Sequence, residues 1–159
     1  MWTVLDSPIG ELRLVERHDE ITAIEFSPFR DGDGRVRGVR DDAHPVLREA
    51  TRQLTAYFAR ELKEFDLPLA LVGTDFQQLV WQQLAGIGYG ETASYGEIAR
   101  RLGKTNAASR AVGLANGSNP IPIVIPCHRV IGANGTLTGY AGGVERKQTL
   151  LSLEQEALF

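Results

Sequence analysis

The chain has 159 residues, of which 43% are hydrophobic and 23% charged, and its formal net charge is −3. These values are typical of a folded domain and argue against a disordered chain or a general polyanion binder. No run of about 18 apolar residues predicts a membrane span, and the first residues do not resemble a signal peptide. A single cysteine excludes an internal disulfide and a cysteine-rich zinc site, so we expect a cytoplasmic protein without bound metal or cofactor.

The first 73 residues predict a small lobe built on an antiparallel sheet. Four short strands are predicted, at 2–5, 11–15, 21–26 and 67–72. Apolar residues at helical spacing predict one helix over 45–60, with Pro45 in its first turn. The polar, glycine-rich stretch 31–42 predicts a loop, and His18 and His44 are expected at the surface, outside any metal site.

Residues 74–159 predict a second, mainly helical lobe. Two capping boxes mark the starts of helices, Thr74 with Gln77 and Ser94 with Glu97. The first of these helices is predicted to end at 88–90, and the second at about Leu102, where Gly103 breaks it. A last helix is predicted over 144–156.

A third helix, predicted over 107–116 with Asn106 as its cap, consists almost entirely of small residues. Such a helix can lie close to a neighbouring helix or to a DNA groove, and composition alone leaves both possibilities open. In the second case, Arg110 is the one long side chain able to reach past the helix surface. A short helix, a tight turn and this helix form a helix-turn-helix. The predicted fold class is therefore α/β, of the α+β kind, with a winged-helix-like second lobe.

Charge is unevenly distributed along the chain. Acidic residues outnumber basic ones in the first 74 residues, whereas residues 95–130 contain one acidic residue, Glu97, and five basic ones: Arg100, Arg101, Lys104, Arg110 and Arg129. A local basic face on an acidic protein suits binding confined to one surface, although most small clusters of this kind are simply solvated.

The segment from Pro120 to Pro126 leads into the only cysteine. Its three prolines forbid a helix, so a stiff, extended, buried segment is predicted to end at Cys127 and His128. A buried cysteine is usually an inert apolar residue, but an adjacent base or cation can convert the thiol into a nucleophile. Because neighbours in an extended segment face opposite ways, contact with His128 requires a bridging water or a turn. Glu154, on the last helix, is the candidate that orients the histidine.

The sequence from Ile125 to Val130 resembles the active-site signature of the O6-alkylguanine-DNA alkyltransferases. Further matching motifs follow the order of that family and span about residues 74–155: Tyr89–Ala99, Ser109–Gly113, Asn119–Pro122, Gly139–Gly143 and Lys147–Glu154. The N-terminal half is similar to the family only in general style.

The resemblance implies a suicidal DNA-repair methyltransferase that reverses damage directly. Such a protein flips O6-alkylguanine, and less well O4-alkylthymine, out of duplex DNA and transfers the alkyl group irreversibly to Cys127. His128 would take the thiol proton through a water, Glu154 would orient His128, and Asn119 would tie the hinge before the active site. The expected partner is double-stranded DNA containing alkylated guanine, bound by a monomer that could cluster on DNA.

The resemblance also implies the residues that contact substrate and DNA. Tyr95 would lie beside the flipped nucleotide, and Arg110 would fill the space that the base leaves. The carbonyls of Cys127 and Val130 would read the exocyclic amine, and the backbone N–H of Ala141 would face the alkylated oxygen. The other candidate substrate- or DNA-binding residues are Ala107, Ala108, Ser109, Ala111, Gly113, Asn116, Arg129 and Tyr140.

Two alternatives stay open at this point. A non-catalytic lesion sensor could use the same helix-turn-helix, but a related class of such proteins has tryptophan in place of the nucleophile, and Cys127 favours an active transferase. A cysteine hydrolase could use Cys127, His128 and Glu154, and it would turn over repeatedly on an acyl substrate.

Overall fold

The computed structural model describes residues 1–137 and 139–156, and the chain divides into two compact units, Met1–Leu71 and Val72–Phe159. The predicted α/β class is confirmed, because a small antiparallel sheet with one helix occupies the first unit and helices dominate the second. None of the helices in the described ranges is long and apolar enough to cross a membrane.

The sheet of the first unit has the order β1-β2-β3 and comprises Trp2–Leu5, Leu12–Arg17 and Glu20–Phe26. The two residues between β2 and β3, His18 and Asp19, have φ angles of 53° and 63°. Two consecutive left-handed residues form the hairpin turn whose twist matches that of the flanking strands. The strand predicted over 67–72 is wrong, since only Leu69 forms a bridge, to Ile21. Pro68 has no N–H with which to extend the pairing.

Helix α1, Pro45–Phe58, packs its apolar stripe onto the sheet with Pro45 in the first turn, as predicted. His44 caps this helix, because its Nδ1 accepts a hydrogen bond of 3.2 Å from the N–H of Val46. The expectation of a surface position for His44 is wrong, since its side chain is only 13% exposed and its Nε2 lies 3.3 Å from Glu16 and 3.4 Å from Asp19.

The predicted loop 31–42 contains no helix and no strand, and ion pairs fix its middle. The guanidinium of Arg37 lies 2.7 Å from both Glu25 and Asp33. Glu25 in turn accepts a hydrogen bond of 2.8 Å from the buried Arg13 on β2.

The second unit begins with α2, Asp75–Ala85, and its predicted capping box is confirmed. The Thr74 hydroxyl accepts from the Gln77 N–H at 3.1 Å, and the Gln77 side chain accepts from the Thr74 N–H at 2.9 Å. The helix ends at Ala85 with Gly86 as its cap, so the predicted end at 88–90 is three to five residues too late.

The helix-turn-helix consists of α3, Tyr95–Arg101, and α4, Ser109–Gly117. Ser94 caps α3 as predicted, and Gly103, with a φ of 73°, follows its end. The prediction that Asn106 caps the next helix is wrong. Its side-chain oxygen accepts from Arg100 instead, and a 3₁₀ turn at Asn106–Ala108 precedes α4.

Two short strands, β4 at Ala93–Ser94 and β5 at Val130–Ile131, pair in parallel. They place the start of α3 beside the residues that follow Cys127. The last helix, α5 at Val144–Glu156, has the predicted bounds and contacts the turn that contains Cys127.

Candidate functional site

The segment before Cys127 is buried as predicted, but it is not extended. Ile123 has a φ of 73°, and the N–H of Ile125 returns to the carbonyl of Ile121 at 3.0 Å, so the chain folds back in a tight turn. Cys127–Arg129 then form a 3₁₀ turn. Consecutive side chains in a turn of three residues do not point to opposite faces. In this turn the side chains of Cys127 and His128 need not face opposite ways, as they would in an extended segment, so the two residues can act together.

Asn119 holds this folded segment together. Its side-chain amide donates to the carbonyl of Ile125 at 2.8 Å and accepts from the N–H of Ile121 at 3.0 Å. The same side chain also hydrogen-bonds the Cys127 thiol, which favours the thiolate. Asn119 thus contacts both ends of the segment and the sulfur atom.

Glu154 holds both residues that follow the cysteine. One carboxylate oxygen lies 2.6 Å from Nε2 of His128, and the other accepts from Nε of Arg129 at 2.8 Å. Arg129 also donates to the carbonyl of Ile87 at 2.7 Å. All of these groups are buried, so the ion pair with Arg129 and the contact with the imidazole of His128 are both shielded from solvent.

Burial and hydrogen bonding set the ionisation of this cluster. Burial raises the pKa of the Cys127 thiol to about 11, so the resting thiol is protonated. Burial also lowers the pKa of His128, which keeps the imidazole neutral. Burial opposes ionisation of Glu154, but hydrogen bonds from His128 and Arg129 outweigh it and bring the pKa of Glu154 down to about 2.

Neutral His128 has one defined tautomer in this setting. An ionised Glu154 can only accept, so Nε2 carries the proton and Nδ1 carries a lone pair. Among the described residues nothing hydrogen-bonds Nδ1, although the ring is fully buried. A buried nitrogen with a free lone pair, on the residue that follows a protonated thiol, is a candidate proton acceptor.

Lys147 belongs to this cluster, and the sequence reasoning did not assign it a role. Its side chain is fully buried, its ammonium donates to the carbonyl of Val130, and its charge favours the Cys127 thiolate. Burial lowers the pKa of Lys147. A signal for it exists in the sequence, because Lys147 shares one helical stripe with three buried residues: Leu150, Leu151 and Glu154.

Two tyrosines lie close to the site. Tyr95 packs against two glycines. Its hydroxyl would lie 3.2 Å from a Cβ atom added to Gly139, and its ring would lie 3.8 Å from a Cβ atom added to Gly113. Tyr140 is buried close to Cys127, and burial holds the pKa of Tyr140 well above its usual range. Ala141, next in the chain, is exposed. The site is closed in this conformation, since Cys127 itself is 3% exposed.

The structure separates the candidate DNA-binding residues into two groups. Those that remain accessible are exposed or half-buried around α4: Ala107, Ala108, Ser109, Arg110, Ala111 and Gly113. Asn116 and Arg129 are buried, so neither side chain lies on a DNA-facing surface in this conformation. Arg129 must also be removed from the predicted basic face, because its guanidinium is occupied by Glu154 and Ile87.

Both units match models of one protein family. Residues 1–71 match "6-O-methylguanine DNA methyltransferase, ribonuclease-like domain", and residues 75–156 match "6-O-methylguanine DNA methyltransferase, DNA binding domain". The methylated-DNA–protein-cysteine methyltransferase of Mycobacterium tuberculosis is 52% identical over 154 residues, which cover 97% of this chain and 92% of that protein. The one from Methanosarcina acetivorans is 50% identical over 156 residues, which cover 96% and 97%.

Solved structures agree with these matches. The crystal structure of M. tuberculosis O6-methylguanine methyltransferase superposes with a TM-score of 0.89 at 51% identity, covering 98% of this chain and 93% of the other. The same M. tuberculosis protein has been solved in complex with DNA, and that structure also superposes with a TM-score of 0.89.

Proposed function

Since this chain belongs to the 6-O-methylguanine DNA methyltransferase family, we propose that it repairs alkylated DNA by moving an alkyl group from oxygen-6 of guanine onto Cys127. O4-alkylthymine would be a poorer second substrate. We assign DNA binding and transfer to residues 74–159. The observation that carries the proposal is the buried contact between His128 and Glu154 directly after Cys127, which leaves Nδ1 of His128 without a hydrogen-bond partner among the described residues.

The first chemical step is removal of the thiol proton. Because the pKa of Cys127 is about 11, thiolate is scarce at neutral pH and a base must act during the reaction. Nδ1 of His128 accepts the proton through a bridging water, and ionised Glu154 stabilises the imidazolium that forms. The charge of Lys147 favours the thiolate.

The sulfur then attacks the alkyl carbon. A carbon–sulfur bond forms, the carbon–oxygen bond to guanine breaks, and the base leaves as an anion that regains a proton through His128. Tyr95 beside the flipped nucleotide and the N–H of Ala141 at the alkylated oxygen would stabilise that anion. The thioether has no route back to a thiol, so each molecule acts once.

Reaching the alkyl carbon requires the base to leave the duplex and the site to open. Oxygen-6 lies on the pairing edge of guanine, and extrusion of a base costs about a few kcal/mol. Arg110, exposed on α4, would fill the space left in the stack and so offset part of that cost. The glycine-rich segment around Tyr140 must move to admit a purine, since Cys127 and Tyr140 are both buried at rest.

Mass spectrometry after incubation with methylated duplex DNA tests the proposal. We expect a mass increase of one methyl group, located on Cys127, in an amount that never exceeds one per protein molecule. The Cys127→Ala variant should accept nothing. Binding without any adduct would identify a lesion sensor instead, and repeated turnover of a small acyl substrate would identify a cysteine hydrolase.

A further inference from the structure

The carbonyls expected to read the exocyclic amine of guanine already accept hydrogen bonds within the chain. The Cys127 carbonyl accepts from the Val130 N–H and from the side-chain amide of Asn116 at 3.3 Å. The Val130 carbonyl accepts from the ammonium of Lys147. A carbonyl has two lone pairs, so the Cys127 carbonyl has little remaining capacity for a third donor.

Asn116 provides an acceptor that the chain does not use. It lies near the end of α4 and is 1% exposed. A carbonyl can only accept, so the NH₂ group of Asn116 must face Cys127 and Oδ1 must face the other way. In the part of the chain that the structure describes, Oδ1 is buried without a hydrogen-bond partner.

A buried acceptor without a partner requires an explanation, and a ligand that is absent from the resting state is one that fits a site of this kind. This one is part of the amide that donates to the carbonyl of Cys127, so it lies close to the residue that the alkylated base must reach. Oδ1 is buried in the closed site, and the exocyclic amine of a flipped guanine would be a donor for it.

We propose that Asn116 is a specificity-determining residue, whose Oδ1 accepts a hydrogen bond from the exocyclic amine of the flipped guanine. The inference rests on the proposed function. It gives the helix that faces DNA a direct contact with the reacting base, and it distinguishes guanine lesions from bases that lack the amine.

The test compares two duplex substrates that differ by this amine alone, one with O6-methylguanine and one with O6-methylhypoxanthine. Single-turnover transfer is measured for the parent chain and for Asn116→Leu, a substitution of similar shape without the acceptor. The parent should prefer the guanine substrate. In Asn116→Leu the guanine rate should fall about fivefold, the effect of one neutral hydrogen bond, while the hypoxanthine rate stays unchanged.

Two controls keep the outcome interpretable. Gln82→Leu makes a similar change at an exposed position of α2 and should leave both rates unaltered. If Asn116→Leu does not fold, as judged by circular dichroism and melting temperature, Asn116→Ala replaces it. Equal loss on both substrates, or no loss on either, overturns the proposal. Failure of the parent chain to methylate Cys127 overturns the proposed function instead.

Discussion

Glu154 and Arg129 form a buried ion pair of 2.8 Å on the same carboxylate that contacts the imidazole of His128. The carboxylate therefore has two separable jobs. It neutralises a guanidinium that is almost completely buried, and it fixes the tautomer of His128. Removal of its charge should affect stability and chemistry together.

The substitution Glu154→Gln should lower the free energy of unfolding by about 3 kcal/mol, because it leaves the charge of Arg129 buried and uncompensated. It should also slow methyl transfer, since a neutral amide stabilises imidazolium poorly. Urea denaturation and single-turnover transfer measure the two effects. Glu145→Gln, at an exposed position of the same helix, is the control and should change neither. Unchanged stability in Glu154→Gln would contradict the role given to the ion pair.

The thiol of Cys127 should ionise only at strongly alkaline pH. Its thiolate absorbance at 240 nm, taken as the difference from Cys127→Ser, should have its midpoint near pH 11, because burial raises its pKa to about 11. The folded protein then keeps this proton after the unfolded chain has lost it. Stability should therefore fall as pH rises from about 9 to 11, by at most about 1.4 kcal/mol per pH unit. Cys127→Ser should lack that slope, and a midpoint below pH 8 would show a thiol that is ionised at rest.

Loss of Arg110 should impair repair in DNA more than the chemistry itself. Arg110→Ala should slow transfer from methylated duplex at least tenfold, yet leave reaction with free O6-methylguanine nearly unchanged, because only the duplex has a gap to fill. Arg101→Ala removes the same charge from the exposed end of α3 and is the matched control. If Arg110 contacts phosphate alone, its loss should instead appear as a smaller salt dependence of binding.

Lys147 should contribute to reactivity rather than to stability. Lys147→Met removes the charge that favours the thiolate, so the pKa of Cys127 should rise further and transfer should slow about tenfold. The free energy of unfolding should stay within about 1 kcal/mol of the parent, because the lost hydrogen bond to Val130 is offset by no longer burying an ammonium. Lys147→Arg, which keeps the charge, should retain more activity than Lys147→Met. Equal rates for Lys147→Met and the parent would exclude an electrostatic role.

The sequence predicted those features that depend on neighbours in the chain. Two helix starts were predicted from contacts within four residues, one from Pro45 and one from the capping box of Thr74 and Gln77. The structure has both helix starts. Asn106 failed as a cap because Arg100, six residues earlier, competes for its side-chain oxygen. The turn at Ile123 could not be predicted from the sequence either. Isoleucine disfavours the left-handed backbone conformation that it adopts here, and the buried surroundings hold it in that conformation.

The same distinction between neighbouring and distant residues applies to the candidate site. The motif placed Cys127 and His128 in sequence, the last predicted helix supplied Glu154 as the candidate partner of His128, and the resemblance pointed to Asn119. The pairing of Arg129 with Glu154 spans 25 residues of chain, and arginine in a basic stretch normally indicates a solvated surface. Lys147 was missed for the same reason, since a lysine is seldom fully buried and its partner, the Val130 carbonyl, carries no side-chain signal.

Because the chain has a single thiol, the amount of free thiol shows how many molecules have already reacted. Cys127 is the only cysteine in the chain, and it is buried in the folded state. A thiol-reactive dye added after denaturation therefore counts the molecules that have not yet reacted, with no correction for other sulfhydryl groups. One colorimetric reading of a purified sample gives its remaining repair capacity, and the difference from the total protein concentration gives the number of lesions already removed.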